Sequence, residues 1–236
     1  MDARDRLIFA LDVDSAEEAE GLVRLLSPAV GVFKVGLELF TAEGPTVLAA
    51  VRRAGARAIF LDLKLHDIPA TMRAAAKAAS AHGADLLTCH CDQTGIFEGL
   101  DLGRTRLLGV TVLTSLGPED LAAMGYLGEL ADPRALVLKR ARLALAAGCA
   151  GVVCSGAEAA AVRAALGPEA LVVCPGIRPD FGASADDQKR IVTPQMAMAA
   201  GASHIVVGRP IRKAQDPVKA AAAVVEGIRV GLAGPA

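Results

Sequence analysis

The chain has 236 residues, of which 53% are hydrophobic and 22% charged, and its formal net charge is −1. This length allows one large domain with a substantial core, and the balanced charge without a basic run argues against a nucleic-acid partner. No apolar stretch reaches membrane-spanning length, and residues 1–6 are charged and lack a signal-peptide pattern. We therefore expect no membrane partner and a cytoplasmic location.

Apolar strand-like segments alternate with Ala-rich helical segments from one end of the chain to the other. Ser15 is a predicted helix N-cap, and Gly55, Gly83, Gly148 and Gly201 each follow a predicted helical stretch, as C-terminal glycines do. The predicted helices include residues 15–26, 44–54, 70–82 and 159–166. The eight predicted strands are residues 7–13, 30–35, 58–63, 86–90, 107–113, 151–154, 171–174 and 204–207. Eight alternations predict an α/β fold, a single (β/α)8 TIM barrel over residues 1–236, with a doubly wound open sheet as the alternative.

The stretches without periodic patterning are short. Residues 116–119 and 175–184 are rich in Pro and Gly, follow predicted strands, and are interpreted as loops on the catalytic face of the barrel. Residues 231–236 are interpreted as a frayed tail.

The five cysteines lie in or beside apolar segments, and their odd number suits reduced thiols. Cys89, His90 and Cys91 could suggest a metal site. On a strand, however, His90 points away from the two cysteines, and a tetrahedral zinc site needs four converging ligands. We therefore expect no metal there.

Alternating apolar and charged residues end the third predicted strand. Because strand side chains alternate between faces, Asp62 and Lys64 share one face and the intervening leucines share the other. A charged side chain that faces the interior at the end of an apolar strand costs folding free energy unless it is paired with an opposite charge. This strand is therefore a candidate catalytic site. Together with Lys34 and Asp67, these residues form a set of alternating sign that can stay ionised in a semi-buried pocket. His66 falls on the leucine side and is interpreted as structural.

In α/β barrels the functional residues lie at the C-terminal ends of the strands. Polar residues hold that position after six of the eight predicted strands, namely Asp12, Lys34, Asp62 with Lys64, Thr114 with Ser115, Arg178, and Arg209. Gly208 and Arg209 also predict a phosphate site, because glycine lets backbone amides approach an anion and a helix start favours negative charge. We expect the loop after the seventh strand to close over it and supply Arg178 or Gln188.

Residues 62–71 closely resemble the signature of orotidine 5′-phosphate decarboxylases, in particular the shorter bacterial form. Other parts of the chain resemble the family's remaining segments in the same order, namely residues 10–12, 33–36, 110–115, 175–179 and 208–211. Residues 90–95 depart from the family, which usually has a histidine followed by small residues there. The resemblance implies a dimeric (β/α)8 barrel that converts orotidine 5′-phosphate (OMP) to UMP and carbon dioxide, without a cofactor or a metal, in pyrimidine synthesis.

The same resemblance assigns roles to residues. Lys64 is the proton donor to carbon 6 of the pyrimidine, and Asp62 lies beside the substrate carboxylate. Lys34 and Asp67 complete the charged network, with Asp67 and Thr71 contributed by the partner subunit of a homodimer.

The resemblance also assigns the substrate contacts. Asp12 and Lys34 hold ribose hydroxyls, and Thr114 contacts the pyrimidine. Four residues bind the phosphate or close over it, namely Arg178, Gln188, Gly208 and Arg209.

Three other functions remain open at this point. Metal-dependent sugar-phosphate decarboxylases and hexulose-phosphate synthases share an Asp-x-Lys-x-x-Asp core but need magnesium, and residues 68–71 favour the orotidine enzyme over them. A Schiff-base aldolase using Lys64 is disfavoured because a lysine between carboxylates stays charged. The third is a catalytically silent protein that binds nucleotide phosphates.

Overall fold

The computed structural model describes residues 2–179 and 192–234. In this part of the chain, eight parallel strands pair in sequence order, and the last pairs with the first to close a barrel. The strands are β1 (Leu7–Leu11), β2 (Val32–Gly36), β3 (Ala58–Leu65), β4 (Leu86–Cys89), β5 (Arg106–Val110), β6 (Gly151–Val153), β7 (Leu171–Cys174) and β8 (His204–Val207). The predicted (β/α)8 barrel is therefore confirmed, and the open sheet is excluded.

Helices surround the barrel: in the described part of the chain, at least one lies between each pair of successive strands except β4 and β5, and two more follow β8. Within the described residues they are α1 (Ala16–Leu26), α2 (Leu37–Glu43), α3 (Thr46–Arg53), α4 (Pro69–Ala81), α5 (Pro118–Ala123), α6 (Pro133–Ala146), α7 (Ala159–Leu166), α8 (Pro194–Ala199), α9 (Arg209–Arg212) and α10 (Pro217–Ala233). None of them is long and apolar enough to cross a bilayer.

Two loop predictions were wrong in part. Residues 116–119 were predicted as loop, but α5 begins at Pro118, which suits a first helical turn, and the Gly117 N–H donates to Asp120 Oδ2 at 2.8 Å. The predicted frayed tail is helical as far as Ala233. Gly231 packs so closely on α8 that a Cβ there would lie 2.5 Å from the carbonyl oxygen of Gln195.

Capping residues position the helix ends as predicted. The Ser15 side chain accepts a hydrogen bond from the Glu18 N–H at 3.4 Å and so begins α1. Gly83 has φ +85°, and its N–H donates to the Ser80 carbonyl just after α4. That left-handed conformation favours glycine and turns the chain into β4.

The barrel wall separates two apolar layers. The inner layer consists of side chains that step along the strands with a period of two, and it contains Ile8, Ala10, Val32, Phe60, Leu86, Leu108, Val173 and Val206. The outer layer fills the space between strands and helices, where the Phe9 and Phe33 rings meet edge to face with centroids 6.2 Å apart. Continuing the inner period by two residues reaches the C-terminal mouth, where Asp12, Lys34, Asp62 and Thr88 follow.

At the opposite end of the barrel, His204 begins β8 and is 6% exposed. Burial, reinforced by the nearby positive charge of Arg6, lowers the pKa of His204 to about 4. Its Nδ1 has no hydrogen-bond partner within the described residues. The histidine is therefore neutral in the folded protein near neutral pH.

Candidate active site

The third strand is irregular where its charged residues lie. The pairing of β3 with β4 shifts register between Leu61 and Leu65, and Lys64 has φ 51°. Among the residues that the structure describes, Lys64 is the one non-glycine with positive φ, a conformation that costs about 1 kcal/mol or more. In this conformation Lys64 Nζ approaches Asp62, so the local strain accompanies a close contact between the two charges.

Four charged side chains form a continuous chain of ion pairs at the C-terminal mouth. Lys64 Nζ donates to Asp62 Oδ1 at 2.9 Å, and Lys34 Nζ lies 3.8 Å from Asp62 Oδ2. Lys34 Nζ also donates to Asp12 Oδ1 at 3.3 Å. Because the signs alternate, the two ammonium groups and two carboxylates neutralise each other, and each inner charge has an opposite neighbour. The prediction that Asp62 and Lys64 share one face is confirmed.

Sequence reasoning missed Thr88. This residue of β4 is fully buried, and its hydroxyl donates to Asp62 Oδ1 at 2.9 Å while accepting a hydrogen bond from the Lys64 N–H at 2.9 Å. The hydroxyl therefore holds both the carboxylate and the irregular backbone of β3. A signal was present, because Thr88 is in phase with the inward-facing Leu86 on the strand next to Asp62.

Three of the four charged residues, Lys34, Asp62 and Lys64, line a cavity of about 210 Å³. The remainder is mostly apolar, and it is lined by Phe60, Val110, Val112, Leu113, Val153, Cys154, Pro175 and Val206 with the hydroxyls of Thr88 and Thr114. A site of this composition fits a flat, partly polar ring beside a fixed ammonium group.

The residues predicted to bind phosphate lie after the last two strands. Gly208 follows β8, and a Cβ there would lie 3.1 Å from the Ala10 Cβ and 3.3 Å from Asp12 Oδ2. Arg209 begins α9 and is exposed, and Arg178 follows β7 and is also exposed. These residues therefore share the mouth end of the barrel with the ion pairs. Gln188 lies outside the described residues.

Asp67 and Thr71 do not join the ion pairs of their own chain. Asp67 is exposed, and its Oδ1 accepts a hydrogen bond from the Ile68 N–H at 2.6 Å. Asp67 lines a separate surface pocket, and Thr71 is exposed on the first turns of α4. Within one chain, the predicted set of alternating charges therefore contains Asp12 in place of Asp67.

The segment that departs from the family contacts the signature residues. His66 Nε2 and Asp92 Oδ2 are 2.6 Å apart, and the rings of His66 and His90 lie with centroids 4.9 Å apart. Partial burial, reinforced by His66, lowers the pKa of His90. His66 is not among the residues lining the charged cavity, which fits its interpretation as structural.

Comparison with known proteins agrees with this geometry. A family model described as "Orotidine 5'-phosphate decarboxylase / HUMPS family" matches residues 5–224. The orotidine 5′-phosphate decarboxylase of Anaeromyxobacter sp. (strain K) is 49% identical over 233 residues, covering 97% of this chain and 100% of its own. The protein of the same name from Trichlorobacter lovleyi is 44% identical over 241 residues, covering 98% of each chain.

Solved structures show the same likeness. The crystal structure of orotidine 5′-phosphate decarboxylase from Lactobacillus acidophilus superposes with a TM-score of 0.79 at 34% identity, covering 94% of this chain and 97% of that one. The family predicted from residues 62–71 is thereby confirmed. The chain belongs to the orotidine 5′-phosphate decarboxylase / HUMPS family.

Proposed function

We propose that this protein is an orotidine 5′-phosphate decarboxylase, a carboxy-lyase that converts OMP to UMP and carbon dioxide in pyrimidine synthesis. One observation carries the proposal: the Lys64 ammonium is held 2.9 Å from Asp62 in a largely apolar cavity at the barrel mouth. The family description also covers HUMPS proteins, but the relatives at 44–49% identity bear the decarboxylase name.

The arrangement of the mouth suits each part of OMP. The pyrimidine fits the cavity beside Lys64, with Thr114 at its edge. The ribose hydroxyls lie toward Asp12 and Lys34, which are already joined by a hydrogen bond. The phosphate binds at Gly208 and the start of α9, where Arg209 adds positive charge. Arg178 and Gln188 close over it.

The proposed chemistry depends on the charge of Lys64. Loss of carbon dioxide from carbon 6 leaves an electron pair in the plane of the ring, where the π system cannot delocalise it. A fixed ammonium in a site shielded from water stabilises that charge and then donates its proton to carbon 6. Asp62 aims the amine through its hydrogen bond with Lys64 Nζ, and Thr88 holds the Asp62 carboxylate in place.

Phosphate binding contributes to turnover as well as to affinity. The phosphate is remote from the bond that breaks, so its binding energy is available for loop closure and for orienting the pyrimidine. A substrate that lacks the phosphate should therefore be turned over with a lower kcat as well as a higher KM.

We further propose a homodimer with shared sites, in the cytoplasm. Asp67 carries no ion pair to Lys64 in its own chain, and it lies beside Ile68, which is 66% exposed. An exposed isoleucine beside a charged residue suits burial against a second copy, which would bring Asp67 and Thr71 to the partner's Lys64.

The test is to add OMP to the purified protein in a buffer that contains a chelator and to follow the pyrimidine absorbance. We expect full turnover to UMP. A metal-dependent sugar-phosphate enzyme would instead leave OMP unchanged and act on its sugar phosphate only after magnesium is restored. Tight UMP binding without turnover would point to a silent binding protein and contradict the proposal.

A further inference from the structure

Three buried thiols converge in the outer apolar layer, apart from the charged cavity. Cys89 ends β4, Cys91 follows two residues later, and Cys149 precedes β6. The Sγ atoms of Cys91 and Cys149 are 3.5 Å apart, those of Cys89 and Cys149 are 3.7 Å apart, and those of Cys89 and Cys91 are 3.9 Å apart. Each residue is at most 7% exposed. Sequence spacing suggests a link only between Cys89 and Cys91, because Cys149 lies 60 residues beyond Cys89 in the chain.

The cluster offers three sulfur atoms as ligands for an ion. Within residues 2–179 and 192–234, these cysteines form the one group of three or more Cys, His, Asp or Glu residues whose ligand atoms lie within 4.8 Å of one another. His90 lies between two of them in sequence, but its ring faces His66. The cluster therefore lacks the fourth ligand that zinc takes in structural sites, as far as the described residues show.

The spacing of the sulfurs suits one small ion. A point equidistant from the three Sγ atoms lies about 2.1 Å from each, slightly less than a zinc–thiolate bond of about 2.3 Å. An ion with bonds of about 2.3 Å to all three sulfurs lies just outside their plane, so that the ion and the sulfurs form a shallow three-sided pyramid. Three bonds of about 2.3 Å therefore span the present spacing of the sulfurs.

Charge distinguishes the ions that such a site can hold. Three thiolates carry three negative charges, so a monovalent ion leaves two of them and a divalent ion leaves one. A buried charge without a partner is costly, and the surroundings are apolar. A trivalent ion that forms three bonds to sulfur leaves no net charge and needs no fourth ligand.

We propose that Cys89, Cys91 and Cys149 form a three-coordinate binding site for trivalent arsenic. Arsenous acid condenses with the three thiols: three As–O bonds break, three As–S bonds form, and each thiol proton leaves with a hydroxyl group as water. Three waters are released and no atom changes oxidation state. Entry occurs from the side of Cys91 and Cys149, which are each 7% exposed, whereas Cys89 is fully buried.

The site is separate from the proposed active site. Cys89 is adjacent to Thr88, but the two side chains lie on opposite faces of β4, Cys89 in the outer layer and Thr88 beside Asp62. Arsenic binding is therefore measured without substrate, as the number of arsenic atoms bound per chain. A protein that binds no arsenic would leave the decarboxylase proposal unaffected.

The experiment uses the full chain, reduced and then freed of small thiols, with sodium arsenite as the probe. Native mass spectrometry should show one arsenic per folded chain with the loss of three hydrogens. Arsenic X-ray absorption on the same sample should show three sulfur neighbours and no oxygen. Cys149→Ala should abolish the one-to-one complex, whereas Cys174→Ala, which removes another buried thiol, should retain it.

Several results would overturn the proposal. They are the absence of an arsenic adduct on the folded wild-type chain, an oxygen neighbour in the absorption spectrum, and a complex that survives in Cys149→Ala. Displacement of bound arsenic by an equal concentration of Zn²⁺ would also overturn it, since a divalent ion would then be the better fit. The absorption spectrum needs no variant, so the proposal stays falsifiable if Cys149→Ala does not fold.

Discussion

Replacing Thr88 with valine removes one hydroxyl from the centre of the site and changes little else. Valine has nearly the shape of threonine, so the buried position stays filled. The change deletes the hydrogen bond to Asp62 Oδ1 and leaves the Lys64 N–H without its acceptor, both at 2.9 Å in the native protein.

The magnitude follows from those two contacts. A hydrogen bond to a charged group contributes about 1.5–3 kcal/mol, and a buried N–H left without a partner costs about 1–3 kcal/mol. If the two effects add, Thr88→Val lowers the free energy of unfolding by about 2.5–6 kcal/mol. Because the hydroxyl also holds the strained backbone of Lys64, we expect kcat to fall by about 10–100-fold through misplacement of the amine.

The assay is urea denaturation combined with OMP turnover. Thr105→Val is the matched control, because Thr105 is also buried and its hydroxyl donates at 2.7 Å to the Ala84 carbonyl, at the other end of β4. The control should lose about 1 kcal/mol of stability and keep its kcat. If Thr88→Val matched Thr105→Val in both stability and kcat, Thr88 would not position Asp62 and Lys64.

Three further predictions concern other parts of the molecule. Arg209→Ala should raise KM for OMP about tenfold or more while leaving turnover of a substrate without phosphate unchanged, because it removes a charge-assisted contact to phosphate; an unchanged KM for OMP would contradict the site. Mixing inactive Lys64→Ala and Asp67→Ala proteins should restore part of the activity, since hybrid dimers contain one intact shared site; steady-state rates that show no rescue would contradict sharing. The folded pKa of His204 is about 4 and its unfolded value is about 6.5, so the unfolded chain binds more protons between these pH values and stability falls as pH falls. Between pH 7 and pH 4.5, the free energy of unfolding measured by urea denaturation should fall by about 2–3 kcal/mol more in the wild type than in His204→Gln. Equal losses in the two proteins would contradict a neutral, buried His204.

The barrel was predictable because its signals are local and repeated. Period-two alternation on strands and glycines after helices recur along the chain, and each depends on a few neighbouring residues. The predictions of irregular structure failed where packing between helices determines how far a helix extends. Gly231 belongs to α10 because its missing side chain lets the helix approach α8, a contact that only the folded structure reveals.

The charged site was predictable only in part. Asp62 and Lys64 share a face by alternation, and Asp12 and Lys34 follow from the ends of their strands. The positive φ of Lys64 and the role of Thr88 depend on the register between β3 and β4, which no single segment encodes. The position of Cys149 beside Cys91 has a similar cause, because the pairing of β4 with β5 and of β5 with β6 brings residues together that are distant in sequence.

The role proposed for Lys64 is that its ammonium stabilises the charge left on carbon 6 by the loss of carbon dioxide and then protonates that carbon. Its most direct test is the reaction of OMP in deuterated water with wild type and Lys64→Ala, followed by NMR of the product. We expect UMP with deuterium at carbon 6 from the wild type. We expect a rate at least about 10³-fold lower from the variant, with its circular dichroism unchanged. A folded Lys64→Ala protein that converts OMP within about tenfold of the wild-type rate would contradict the role of Lys64 as proton donor.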